Sequence, residues 1–103
     1  MTASDIRSTV LAAIGSQWDR TNLHGVSLRT CLVDPVPMKF ISASGDQEVM
    51  GWLVLLEHPD QKNGYAVVYD EPSGQFGLAQ ILEGYDPCLF GLYGDFFSAL
   101  DAM

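Results

Sequence analysis

Basic side chains are scarce in this chain. Its 5 Lys and Arg face 13 Asp and Glu, for a formal net charge of −8. That deficit argues against nucleic acid as a partner, because phosphates are held by Lys and Arg. Charged residues of both signs are sparse too. They make up 17% of the chain, against about 25% in typical soluble domains, so much of the surface must be neutral or apolar. Cys31 and Cys88 are the only cysteines, too few for a disulfide framework, and they read as reduced, mostly buried thiols. Long apolar runs are missing as well. The longest, Val49–Leu56 with Gly51 included, has the length of a strand and falls far short of the roughly 18–20 residues that cross a bilayer. A signal-peptide pattern is absent: Asp5 precedes Arg7, and the apolar piece Val10–Ile14 is short. These absences lead us to expect a cytoplasmic protein with no membrane partner.

Motifs for chemistry are equally thin. His24, His58, Cys31 and Cys88 contain no close pair at metal-ligand spacing. Glu57 and His58, as neighbours on an extended strand, should point to opposite faces and not share an ion. There is no G-x-S-x-G elbow for nucleophilic catalysis. The adjacent carboxylates Asp70 and Glu71 precede a turn and read as solvated, not as an acid–base pair. Gly91-Leu92-Tyr93-Gly94 leads into a helix start, but Asp95 there would repel a phosphate while satisfying the helix dipole itself. No cofactor, metal or catalytic residue is implied.

What remains is a chain of 103 residues, 48% of them hydrophobic, the profile of one packed domain spanning residues 1–103. Ile6, Val10, Ala13, Ile14 and Trp18 form an apolar stripe at helical spacing. It predicts a helix opened by a Thr2/Asp5 capping box, with Ser4 as a second candidate cap, running to about Asp19. Val26–Leu32 alternates as a strand does, and Asp34-Pro35-Val36-Pro37 should break it. A second strand is predicted over Met38–Ala43. A third, Glu48–Glu57, is apolar without alternation, as in a strand covered on both faces. Asn63-Gly64 is the strongest hairpin signal. A strict two-residue loop there would set Glu57 opposite Asp70 and place Pro59 inside the ladder, so a longer loop over about residues 58–64 is expected. Tyr65–Asp70, a Pro72-Ser73-Gly74 turn and Phe76–Leu82 follow. The tail from Cys88 is expected to be a short extended or irregular piece and then a helix from Asp95 that must dock through Phe96, Phe97, Leu100 and Met103.

The expected architecture is therefore α+β: an N-terminal helix packed on a mostly antiparallel sheet of about five strands, with a short C-terminal helix. Two helices do not obviously cover both faces of such a sheet. Either the sheet curves strongly, or a second copy of the chain, in a homodimer, covers one face.

Charge and aromatics are unevenly placed. Residues 63–103 contain six acids and no Lys or Arg, a charge of −6 against −2 for residues 1–62. They also hold eight of the eleven aromatics. Aromatics ringed by carboxylates suit a surface for a basic protein partner, and Asp70, Glu71, Glu83, Tyr85, Asp86, Tyr93 and Asp95 are its candidate contacts. Immunity-type inhibitors use such physics, a comparison of principle only. The competing explanation places the aromatics in the core and leaves the acids to keep a small domain soluble. A second function class is a small-molecule pocket between helix and sheet, with enzymatic use conceivable, lined by Tyr85, Tyr93, Trp52 and His58. A third is a structural homodimer.

Overall fold

In the computed structural model, which describes residues 1–103, the capping box at Thr2 forms as the sequence requires and opens helix α1 (Ala3–Ile14). The Thr2 hydroxyl accepts from the Asp5 N–H at 3.2 Å, and the Thr2 N–H donates to the Asp5 carboxylate at 2.8 Å. The Thr2 N–H and the Thr2 hydroxyl, both donating to the carboxylate, hold the Asp5 carboxyl below its ordinary pKa. Ile6, Val10 and Ile14 turn inward. The helix ends earlier than the expected Asp19, because Gly15 adopts φ +58° and its N–H closes on the Leu11 carbonyl. That left-handed conformation stops the helix at a glycine, the residue that tolerates it best. Trp18 thus leaves the helical stripe but still packs on the core.

The expected strand Val26–Leu32 is instead a helical turn, α2 (Leu28–Cys31). Leu28 and Cys31 are buried while Arg29 and Thr30 face water, a spacing of three that a helical turn satisfies and strict alternation does not. Strand β1 (Leu32–Ser42) then runs straight through Pro35 and Pro37, which were expected to break it. A register shift between Leu32 and Val36 absorbs the irregularity, and this stretch of β1 pairs with a neighbour on one side only. The expected second strand is the far half of β1.

Strands β2 (Glu48–His58), β3 (Asn63–Asp70) and β4 (Gln75–Ile81) follow as consecutive antiparallel neighbours. The β2–β3 turn takes the longer form: His58 pairs with Asn63, Pro59 stays outside the ladder, and Trp52, not Glu57, faces the Asp70 end of β3. Gly74 takes φ +70° in the β3–β4 turn. The piece expected to be extended or irregular is a strand, β5 (Cys88–Gly94). The strand total of five therefore matches the expectation, although its membership differs.

The five strands close into a barrel. In a meander with an odd number of strands the first and last run the same way, so closure must be parallel. It is made by Ile41 opposite Cys88 and Ser42 opposite Leu89. One apolar cluster draws on every strand and on no helix: Phe40, Leu53, Leu56, Ala66, Val68, Ala79 and Leu89. This is the barrel interior, and it is narrow. A Cβ on Gly51 would sit 2.5 Å from Val68 Cγ1, and one on Gly77 would sit 2.5 Å from the Gly91 carbonyl oxygen. The other cluster lies between the barrel's outer face and the helices. It joins Ile6, Val10 and Ile14 to Val54, Leu55, Val67 and Phe76, and to α3 (Phe96–Asp101) through Phe96 and Leu100. The two-sided character of β2 is thus explained by strong curvature: Leu53 and Leu56 fill the barrel, while Val54 and Leu55 meet the helix side. The sheet covers its own second face, so that face gives no reason to invoke another copy of the chain. No helix is long and apolar enough to cross a membrane.

Candidate functional site

The seven candidate contact residues do not form one surface. Asp70, Glu71, Tyr93 and Asp95 gather near the start of β4, where Asp70 pairs with Gln75 and Gly94 with Phe76. Glu83, Tyr85 and Asp86 lie in the loop beyond its other end. A strand of this length separates them by about 20 Å.

The two groups also differ chemically. Near the start of β4 three carboxylates serve their own chain. Asp70 accepts from the Ser73 hydroxyl at 2.5 Å and from the Ser73 N–H at 3.3 Å. Glu71 accepts from the Trp52 indole N–H at 3.2 Å. Asp95 caps α3 by accepting from the Ser98 N–H at 2.7 Å, which holds its pKa low. In the β4–β5 loop, Glu83 and Asp86 have neither a hydrogen bond nor an ion pair, and between them Tyr85 is 76% exposed. Arg7, Arg20, Arg29 and Lys39 are paired with Asp34, Asp101, Asp19 and Glu48, and Lys62, the fifth cation, makes no ion pair with either loop carboxylate although its turn lies at the same end of β4.

Half of the C-terminal aromatics belong to the core side of the molecule. Tyr69, Phe76 and Phe96 are buried with ring centroids 5.0 and 5.5 Å apart in sequence, and Phe97 packs on Phe96 beneath the Arg20 guanidinium. Exposed rings are confined to Tyr85 and to Phe90 and Tyr93 on β5. Phe90 and Tyr93 fall at the two register shifts of the β4–β5 ladder, where extra residues are displaced from the pairing.

A cluster not anticipated from sequence surrounds Glu57. Its carboxylate accepts from His24 Nδ1 at 2.7 Å and from the Tyr65 N–H at 3.1 Å, and His58 Nε2 stands 3.7 Å away. Partial burial pushes the Glu57 pKa up, but these hydrogen bonds and the two imidazoles outweigh it and hold the carboxyl below its ordinary value. Glu57 and His58 were expected on opposite faces. The register shift between Leu56 and His58 removes the strict alternation on which that rested. No set of three His, Cys, Asp or Glu side chains has the geometry to hold a metal ion. Nothing in the local sequence signalled the approach of His24, which comes from a loop far away in the chain. Cys31, whose Sγ lies 3.6 Å from the Glu57 carbonyl, and Cys88 are free thiols.

A cleft of about 230 Å³ opens between α1, α2 and the beginning of β1. Its floor is apolar (Val10, Leu28, Leu32, Val54), and Arg7, Arg29 and Asp34 stand on its rim. None of Tyr85, Tyr93, Trp52 or His58, the expected lining of a helix–sheet pocket, takes part. Those side chains lie on other elements, and the helices reach the barrel elsewhere. A signal for this cleft did exist: Arg7, Val10 and Leu11 share one side of a helix at spacings of three and four.

No protein-family model, curated protein or solved structure matches this chain. Its function must therefore be argued from these residues alone.

Proposed function

We propose that this chain is a small cytoplasmic binding protein, not an enzyme, that engages a basic protein partner through its β4–β5 loop. One observation carries the reading: Tyr85, largely exposed, stands between two carboxylates that form no ion pair with any of the chain's five cations. An aromatic anchor flanked by unpaired acids offers contact area together with electrostatic steering. Near the start of β4 the acids already satisfy Ser73, Trp52 and Ser98, so that region has a lesser role than residue types alone imply.

Affinity capture across a salt series, with mass-spectrometric identification, tests this. A partner of high pI should be retained at low salt and released by a few hundred millimolar salt. Tyr85→Ala should lose it, and Glu83→Gln with Asp86→Asn should weaken it. Retention that ignores both salt and these substitutions would remove the proposal. The cleft between α1, α2 and β1 favours a second reading, the binding of a small molecule, because it combines an apolar floor with cationic groups at its mouth.

A further inference from the structure

We propose that the cleft between α1, α2 and the start of β1 binds a small monocarboxylate with a hydrophobic tail. This rests on reading the cleft as a small-molecule site and adds the ligand's chemistry. Size comes first. At about 230 Å³ the cleft exceeds the roughly 150 Å³ that accommodates benzene and falls below the ~300 Å³ at which drug-sized pockets begin. A tail of about six to eight carbons fits; a nucleotide cofactor does not. The floor suits that tail, since Trp18, Leu32 and Val33 line it with partly exposed apolar surface, above Val10, Leu28 and Val54 buried beneath.

The mouth selects the head group. Two of the five cations of a chain with net charge −8 meet here. Arg7 is paired with Asp34, and Arg29 donates to Asp19 at 2.8 Å and to the Trp18 carbonyl at 3.3 Å. Asp34 and Asp19 are 85% and 97% exposed, so these are weak surface pairs. Each guanidinium has five N–H donors, and these bonds leave several free for a carboxylate. The Trp18 carbonyl meanwhile tethers Arg29 in place. Asp34, itself on the rim, disfavours a doubly charged phosphate head and leaves a single negative charge as the better match. An ammonium head would find Asp34 and Asp19 already paired with the guanidiniums and is the poorer match.

Calorimetry and amide chemical-shift mapping with octanoate, 1-octanol and octylammonium test the proposal on the intact chain. Octanoate should bind about tenfold more tightly than octanol, with shifts centred on Val10, Trp18 and Leu28, and octylammonium should bind more weakly than octanoate. Arg29→Gln should weaken octanoate about tenfold and leave octanol unchanged. Leu11→Glu, at an exposed rim position, should weaken octanoate by placing a second negative charge at the mouth. Equal binding of octanol and octanoate, or an Arg29→Gln protein that binds octanoate normally, overturns the carboxylate assignment while the cleft stands as a site. No binding of any probe at millimolar concentration overturns both.

Discussion

The two ends of strand β4 carry the same residue types and put them to different use. Near its start, Asp70, Glu71 and Asp95 hold a turn, an indole and a helix terminus. Beyond its far end, Glu83 and Asp86 hold nothing, and Tyr85 projects between them. A carboxylate that accepts hydrogen bonds from its own chain has much of its charge already answered, whereas a free one keeps its field for whatever approaches. The charge of the C-terminal half is thus answered within the chain at one place and left open at another, and a count of acids cannot tell these apart.

The most damaging test of this comparison removes the strand that keeps the two ends apart. Gly77 lies within β4, and an added Cβ would press on the Gly91 backbone, which cannot yield as a side chain can. Gly77→Ala should therefore cost about 3 kcal/mol, read as a lower urea midpoint, with both ends disturbed together. A variant of normal stability would show that the close approach is absent.

Glu57 provides a carboxylate with partners outside β4, and Glu57→Gln should cost about 1 kcal/mol, since the group keeps some contact with water. Its folded pKa is depressed, so its contribution is present above its unfolded value and is lost as pH falls through the lower folded one. Urea unfolding at a series of pH values should show that part of the acid destabilisation missing in Glu57→Gln. Asp95→Ala should be milder: loss of the Ser98 bond frays α3, visible as a small fall in thermal midpoint. Its depressed pKa has the same sign, so the difference from the unsubstituted protein should vanish in strong acid. Smallest of all is Glu83→Gln combined with Asp86→Asn. With no intramolecular partner to lose, the pair should shift stability by no more than about 0.5 kcal/mol while weakening retention of a basic partner. A large loss of stability there would mean that the loop is structural after all.

Several elements were legible in advance because their signals are local. The Thr2–Asp5 capping box, the Gly74 turn and the start of α3 near Asp95 each depend on residues three or four positions apart. The need for a longer β2–β3 turn followed from charge and proline placement alone. Val26–Leu32 was misjudged because a few apolar residues fit a helical turn as well as a strand. The prolines of β1 were judged as breakers because a missing ladder partner is a property of the neighbouring strand and not of the proline. The Glu57 cluster was hidden for a similar reason: the Leu56–His58 register shift and the approach of His24 both depend on chain far from Glu57.

By itself, then, the sequence determined the class of fold, its capped helices and central apolar strand, and the excess of acids and aromatics after residue 62. These are matters of composition and of periodicities spanning a few residues. Tertiary structure alone decided that the sheet closes on itself, that half of the C-terminal aromatics serve the core side, and that the acids divide between two ends of one strand. Closure depends on pairing Ile41 with Cys88 across nearly half of the chain. Which carboxylates remain free depends on which donors the closed barrel brings within reach of them, and no local pattern records that.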